Sequence, residues 1–129
     1  MKSGKGNEMD TLTMVEEAMA NPGQIFEAMC CTVNDKVHNK QGLLKWVNSK
    51  HAFLISETTM SYKWRRVSKP IRFTNALMAH DDRKTIICEL GDRKSVYDRE
   101  NAHLGLVNNK GHAITTLEIL EGVWYVVED

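Results

Sequence analysis

The spacing of apolar and polar positions changes several times along this chain, and each change marks an element. Leu12, Val15, Ala18 and Met19 recur at helical spacing, which predicts a short amphipathic helix. Thr11 or Thr13 is its expected cap, with Glu16 and Glu17 in a first turn where the helix dipole favours carboxylates. Asn21-Pro22-Gly23 stops it. Ile25 to Val33 then reads as a strand, Asn34-Asp35 as a hairpin turn, and Lys36-Val37-His38 as the return. Gln41-Gly42 breaks the chain before Leu43 to Val47. His51 to Ile55 and Tyr62 to Val67 read as two further strands.

After Ser68-Lys69-Pro70 the plan begins again. Proline holds the preceding residue extended and interrupts regular pairing, so this tripeptide is the expected joint. Phe73 to Ala79 is predicted as a helix capped by Thr74 and ending near His80-Asp81-Asp82. Thr85 to Leu90 is a strand, Gly91-Asp92 a hairpin turn, and Ser95-Val96-Tyr97 the return strand. Asn108 to Gly111 is a turn, Leu117 to Leu120 a helical or irregular turn, and Val123 to Val127 the last strand.

Local matches support two copies of one unit. Cys31-Thr32-Val33-Asn34-Asp35-Lys36 is echoed by Cys88-Glu89-Leu90-Gly91-Asp92-Arg93, and Trp64 by Trp124. Asn48-Ser49-Lys50-His51-Ala52 returns, with one inserted glycine, as Asn108 to Ala113. The expectation is an α+β fold in which two degenerate helix-plus-antiparallel-strand copies, 11–69 and 70–129, form one pseudo-twofold domain. Each copy alone is marginal for independent folding, so the two are expected to share a core. Residues 1–10 have linker composition and read as a flexible tail.

Composition narrows the class. The 129 residues are 42% hydrophobic and 26% charged, values of a globular protein. No apolar run approaches the roughly 20 residues of a membrane span, and no apolar core of a signal peptide follows the first lysines. Three cysteines, two of them adjacent, fit a reducing, cytoplasmic setting. Seventeen basic and seventeen acidic side chains balance, which argues against direct nucleic-acid binding. Bases lead in the first half and acids in the second, an asymmetry that suits steering toward a partner or association of identical chains.

The second copy carries a resemblance. Phe73-x-x-Ala76, Lys84-x-Ile86, Asp92-x-Lys94, Ile119-Leu120-x-Gly122 and Trp124-Tyr125-x-Val127-Glu128 resemble the plan of a class of small bacteriophage accessory proteins. That class opens on a helix of the type F-x-E-A-(L/M) and closes on a tryptophan strand ending in Glu or Asp. Some of its relatives are similar to Thoeris anti-defence proteins, which sequester a cyclic nucleotide, and some to anti-CRISPR proteins. The resemblance covers residues 71–129 well and 12–67 poorly, and Arg83 stands where the class has glycine. It implies a phage origin and a compact fold, and assigns no ligand pocket.

The candidate chemistry is thin. His80-Asp81-Asp82 contains the His-Asp pair of metal phosphohydrolases but lacks their further ligands, so a polar helix end explains it as well. Asp82 with Asp92-Arg93-Lys94 imitates the Asp…Asp-x-Lys of nucleases, yet Asp35 repeats Asp92 in the same turn context, as hairpin chemistry would. No phosphate-binding glycine loop is present, and no histidine stands at catalytic spacing from a cysteine. No cofactor is called for.

The cluster that remains is Tyr62-Lys63-Trp64-Arg65-Arg66 with Lys69. Strand alternation places Tyr62, Trp64 and Arg66 on one face and Lys63 and Arg65 on the other. Aromatic and arginine side chains together compose protein hot spots and nucleotide-stacking sites; the competing reading makes Trp64 a core anchor. Tyr62, Lys63, Arg65, Arg66 and Lys69 are the candidate partner contacts. The functional expectation is a non-enzymatic, phage-encoded antagonist of host defence, for example an anti-CRISPR protein that blocks an effector nuclease in the bacterial cytoplasm. A sponge for a cyclic nucleotide is the alternative, and a weak metal-dependent nuclease the second.

Overall fold

The computed structural model describes residues 8–29, 35–47, 49–98, 100 and 105–128. The fold is α+β, with antiparallel pairing of its strands. The chain divides into two compact units, Met1–Val67 with Glu128–Asp129, and Ser68–Val127.

In the first unit, β1 (Met9–Asp10) leads directly into α1 (Thr11–Ala20). There follow β2 (Ile25–Ala28), β3 (Lys36–Lys40), β4 (Leu43–Trp46), α2 (Glu57–Met60) and β5 (Lys63–Val67). The strand order is β4-β3-β2-β5, with β1 also paired to β5. Gln41 and Gly42 both take positive φ, 58° and 87°, the geometry that a two-residue turn needs to match strand twist.

The core of this unit lies between α1 and the sheet. Trp64 is fully enclosed, its ring 5.5 Å from Phe53, 5.9 Å from Tyr62 and 6.3 Å from Trp46. Met14, Ala18, Phe26, Ala28 and Val37 complete it. The Trp64 indole donates to the Thr11 hydroxyl at 2.9 Å, and that hydroxyl donates to the Thr59 carbonyl. A buried indole N–H needs an acceptor.

That need explains a difference from the expected helix. Asp10 caps α1, its carboxylate accepting from the Thr13 N–H at 2.8 Å. The buried stripe is Thr11, Met14 and Ala18, while Leu12 and Met19 face outward. Turning Thr11 inward satisfies Trp64 and leaves Leu12 and Met19 outside, while Ala18 and Val15 of the expected stripe stay against the core. Met9 and Asp10 therefore belong to the fold rather than to a tail; residues 1–7 lie outside the described residues.

The second unit runs α3 (Phe73–Asp81), β6 (Ile86–Leu90), β7 (Arg93–Tyr97), α4 (Thr116–Glu121) and β8 (Val123–Glu128). Its strands lie in the order β7-β6-β8. Trp124 is again enclosed, 5.1 Å from Phe73 and 5.8 Å from Tyr97, with Ala76, Ile86 and Cys88 around it. Its indole donates to the Glu118 carbonyl at 3.1 Å. Arg72, not Thr74, precedes α3, without a side-chain cap.

Two other expectations shift. The strand from Ile25 is paired only to Ala28, and residues 30–34, with Cys30 and Cys31, lie outside the described residues. His51 to Ile55 contributes a single bridge, Lys45 to Ala52. The short α2 that follows begins at a capping box: the Ser56 hydroxyl accepts from the Thr59 N–H, and the Thr59 hydroxyl accepts from the Ser56 N–H.

Candidate functional site

Strand β5 carries most of the expected contacts. Its pleat sends Trp64 and Arg66 toward α1 and sends Lys63 and Arg65 the other way, because successive side chains alternate. Trp64 is the core anchor described above, and Tyr62 is half-buried against it. Both arginines are paired with carboxylates within the chain. Arg66 donates to the Glu17 carboxylate from Nε at 2.9 Å and again from Nη2, which pins α1 to the sheet. Arg65 Nε donates to Glu27 Oε1 at 2.7 Å.

Glu27 is fully buried in β2, directly opposite Lys36 on one side and Arg65 on the other. Lys36 Nζ lies 4.0 Å from its carboxylate and 3.2 Å from that of Asp35. These residues form an ion network through the middle of the sheet. Buried charges persist only when paired, so Arg65 is a structural partner here. Lys63 and Lys69 are exposed. The structure thus leaves two lysines of the expected cluster facing solvent and takes its two arginines into internal pairs.

The residues with candidate metal chemistry are not gathered. Asp81, Asp82 and Asp92 are exposed, and His80 is buried in the last turn of α3. Burial holds the His80 imidazole below its ordinary value, against the pull of Asp98 and Asp81. Among the described residues no group of three His, Cys, Asp or Glu side chains is placed to hold a metal ion. Cys88 is buried, and burial, then Glu118 and Glu89, push its thiol up to about 12.

Sequence reasoning missed the apolar surface beside β5. Leu54 is 73% exposed, Ile55 54% and Met60 42%, all within the segment that forms and flanks α2. The Thr59 hydroxyl donates to the Leu54 carbonyl at 3.1 Å and fixes that segment. The signal present in the sequence was the box Ser56-x-x-Thr59 directly after two aliphatic residues: a helix starts there, and Leu54 and Ile55 before it are left exposed. Compared with protein-family models, curated proteins and solved structures, the chain matched none. Among the described residues no helix is long and apolar enough to cross a membrane.

Proposed function

We propose that this chain is a phage-encoded, non-enzymatic antagonist that binds a host defence protein, such as a CRISPR effector nuclease, and blocks it. The observation that carries the reading is the exposed Leu54, Ile55 and Met60 on a segment held by its own capping box. Large aliphatic side chains exposed on a fixed backbone segment lose little backbone freedom on docking, which favours a protein contact. The exposed Lys63, which follows this segment at the start of β5, adds a positive group beside it. The phage-type motifs of the second unit supply the biological setting.

The two units also support descent from one duplicated element. Ala28 lies opposite Trp64 in β2–β5, and Cys88 lies opposite Trp124 in β6–β8. Met9 faces Trp64 from β1, and Ile71 faces Trp124 in an isolated bridge. A capping box opens both α2 and α4. On this reading Cys88 corresponds to Ala28, three residues before the Cys31 that the sequence match suggests.

The test is phage plating on CRISPR-immune bacteria that express the chain. The parent chain restores plating, and Leu54→Asp/Ile55→Asp loses that effect while remaining folded by circular dichroism. Leu120→Asp, at an exposed leucine of the other unit, keeps it. Failure of the parent chain to restore plating against any effector class supplied overturns the CRISPR reading. Restoration that survives in Leu54→Asp/Ile55→Asp overturns the assigned surface.

A further inference from the structure

The second unit contains a cavity of about 230 Å³ between the β6–β7 hairpin, the turn at Asn108 and the start of α4. At ~30 Å³ per water this space holds roughly seven or eight waters. That is below the usual span of cofactor pockets, so its size suits a small metabolite rather than a nucleotide. The polar lining is Arg93, Ser95, Asn108, His112, Thr115 and Glu118.

The lining is held in place before any ligand arrives. Asn108 is buried, and its side-chain oxygen accepts from the N–H groups of Lys110 at 2.9 Å and His112 at 3.0 Å. The Asn108 N–H in turn donates to the His112 carbonyl at 2.8 Å, and Gly111 takes a φ of 84° to close the loop. Glu118 is fixed by the Tyr97 hydroxyl at 2.7 Å and by the Thr115 N–H at 2.9 Å.

Charge is divided across this space. Burial raises the Glu118 carboxyl, but the donors from Thr115, Tyr97 and Ser95 outweigh it and hold the group below its ordinary range, so it stays anionic at neutral pH. Arg93 and His112 are exposed, and among the described residues neither side chain has a hydrogen-bond or ion-pair partner. A plain anion is drawn to the two bases and repelled by Glu118. A plain amine meets the reverse. A molecule with an anionic group at one end and an N–H donor at the other satisfies both.

We propose that this cavity binds a small amino-bearing anion, with Arg93 and His112 receiving its carboxylate or phosphate and Glu118 with Ser95 receiving its amine. The inference does not depend on the antagonist reading, and it concerns the other unit. The test is a two-dimensional NMR titration of the whole chain with γ-aminobutyrate and phosphoethanolamine. Acetate, inorganic phosphate and butylamine are the single-function controls. Saturable shifts at Ser95, Asn108, His112 and Thr115 are expected with one or both amino-anions. The controls bind at least ~10-fold more weakly, since each forfeits a charge-assisted hydrogen bond. Which amino-anion binds identifies the anionic group. Arg93→Ala, at an exposed position, weakens binding by a similar factor and leaves the remaining spectrum unchanged. No saturable shift from either amino-anion up to 10 mM, in the range of about millimolar affinity where such contacts begin to register, overturns the proposal. So does equal binding of the controls, or binding unaffected by Arg93→Ala.

Discussion

Replacing Glu27 by Gln tests whether the buried ion network holds the first unit together. The carboxylate is wholly enclosed and receives Arg65 Nε at 2.7 Å, with the Arg65 side chain only 14% exposed. Lys36, 3% exposed, lies 4.0 Å from the second oxygen. An amide keeps the shape and removes the charge, so Arg65 loses its carboxylate in a site with little water to replace it. Breaking a buried pair from one side costs about 3–5 kcal/mol. Asp35 still faces Lys36 at 3.2 Å, which places the expected cost near the lower end, about 3 kcal/mol. With a urea slope of about 1–3 kcal/mol per molar, the midpoint falls by roughly 1–3 M. The measurement is urea unfolding followed by tryptophan fluorescence, since Trp46 and Trp64 report the same core. The double variant Glu27→Leu/Arg65→Met removes both charges and is expected to cost less than Glu27→Gln alone. A Glu27→Gln midpoint within about 1 kcal/mol of the parent, on that same scale, refutes the network's role.

Three further outcomes follow from single groups. Glu118, held below its ordinary carboxylate range, adds stability that is present above its unfolded pKa and lost as pH falls through the folded one; Glu118→Gln costs about 1–3 kcal/mol at neutral pH and flattens the acid limb of a melting-temperature-against-pH curve. His80 is held low by burial, and among the described residues its Nε2 has no partner. The unfolded imidazole therefore takes its proton first, so stability declines as pH drops below 6.5, and His80→Met abolishes that decline in the same melting series. A Cβ at Gly122 would sit 2.3 Å from the Cys88 sulfur and 2.6 Å from the Glu118 carbonyl oxygen, so Gly122→Ala costs about 1–3 kcal/mol. Cys88→Ala in that background recovers only part of the urea midpoint, since the carbonyl belongs to the backbone and cannot turn aside.

What was legible in the sequence was what local chemistry decides. Gly91-Asp92 placed a hairpin turn, where Gly91 takes a positive φ that few residues accept, and Gln41-Gly42, read only as a break, is a hairpin turn of the same kind. The turn expected at Asn34-Asp35 falls partly outside the described residues. Phe73-x-x-Ala76 marked a helix, and Trp64 and Trp124 marked the two strands that close the cores. The failures concern polar groups whose partners lie far along the chain. Glu27 sits buried in a strand, and its partners Lys36 and Arg65, the latter 38 positions later, make that burial tolerable. Thr11 turns inward for Trp64, 53 positions away, and leaves Leu12 and Met19 of the expected stripe outside.

The same physics explains why the partners of the β5 arginines could not be read from the sequence. An arginine beside an aromatic in a strand has one composition whether it awaits a partner or already has one. Arg65 and Arg66 find their carboxylates on β2 and α1, so the two arginines of the cluster are paired inside the fold while Lys63 and Lys69 stay exposed. The features on which the two proposals rest are of a different kind: exposed aliphatic side chains beside a helix cap at Ser56, and a polar cavity assembled from a hairpin, a turn and α4. Both depend on where short helices start. A cap is written in two or three residues, and its consequence is to decide which neighbouring side chains the fold can no longer bury.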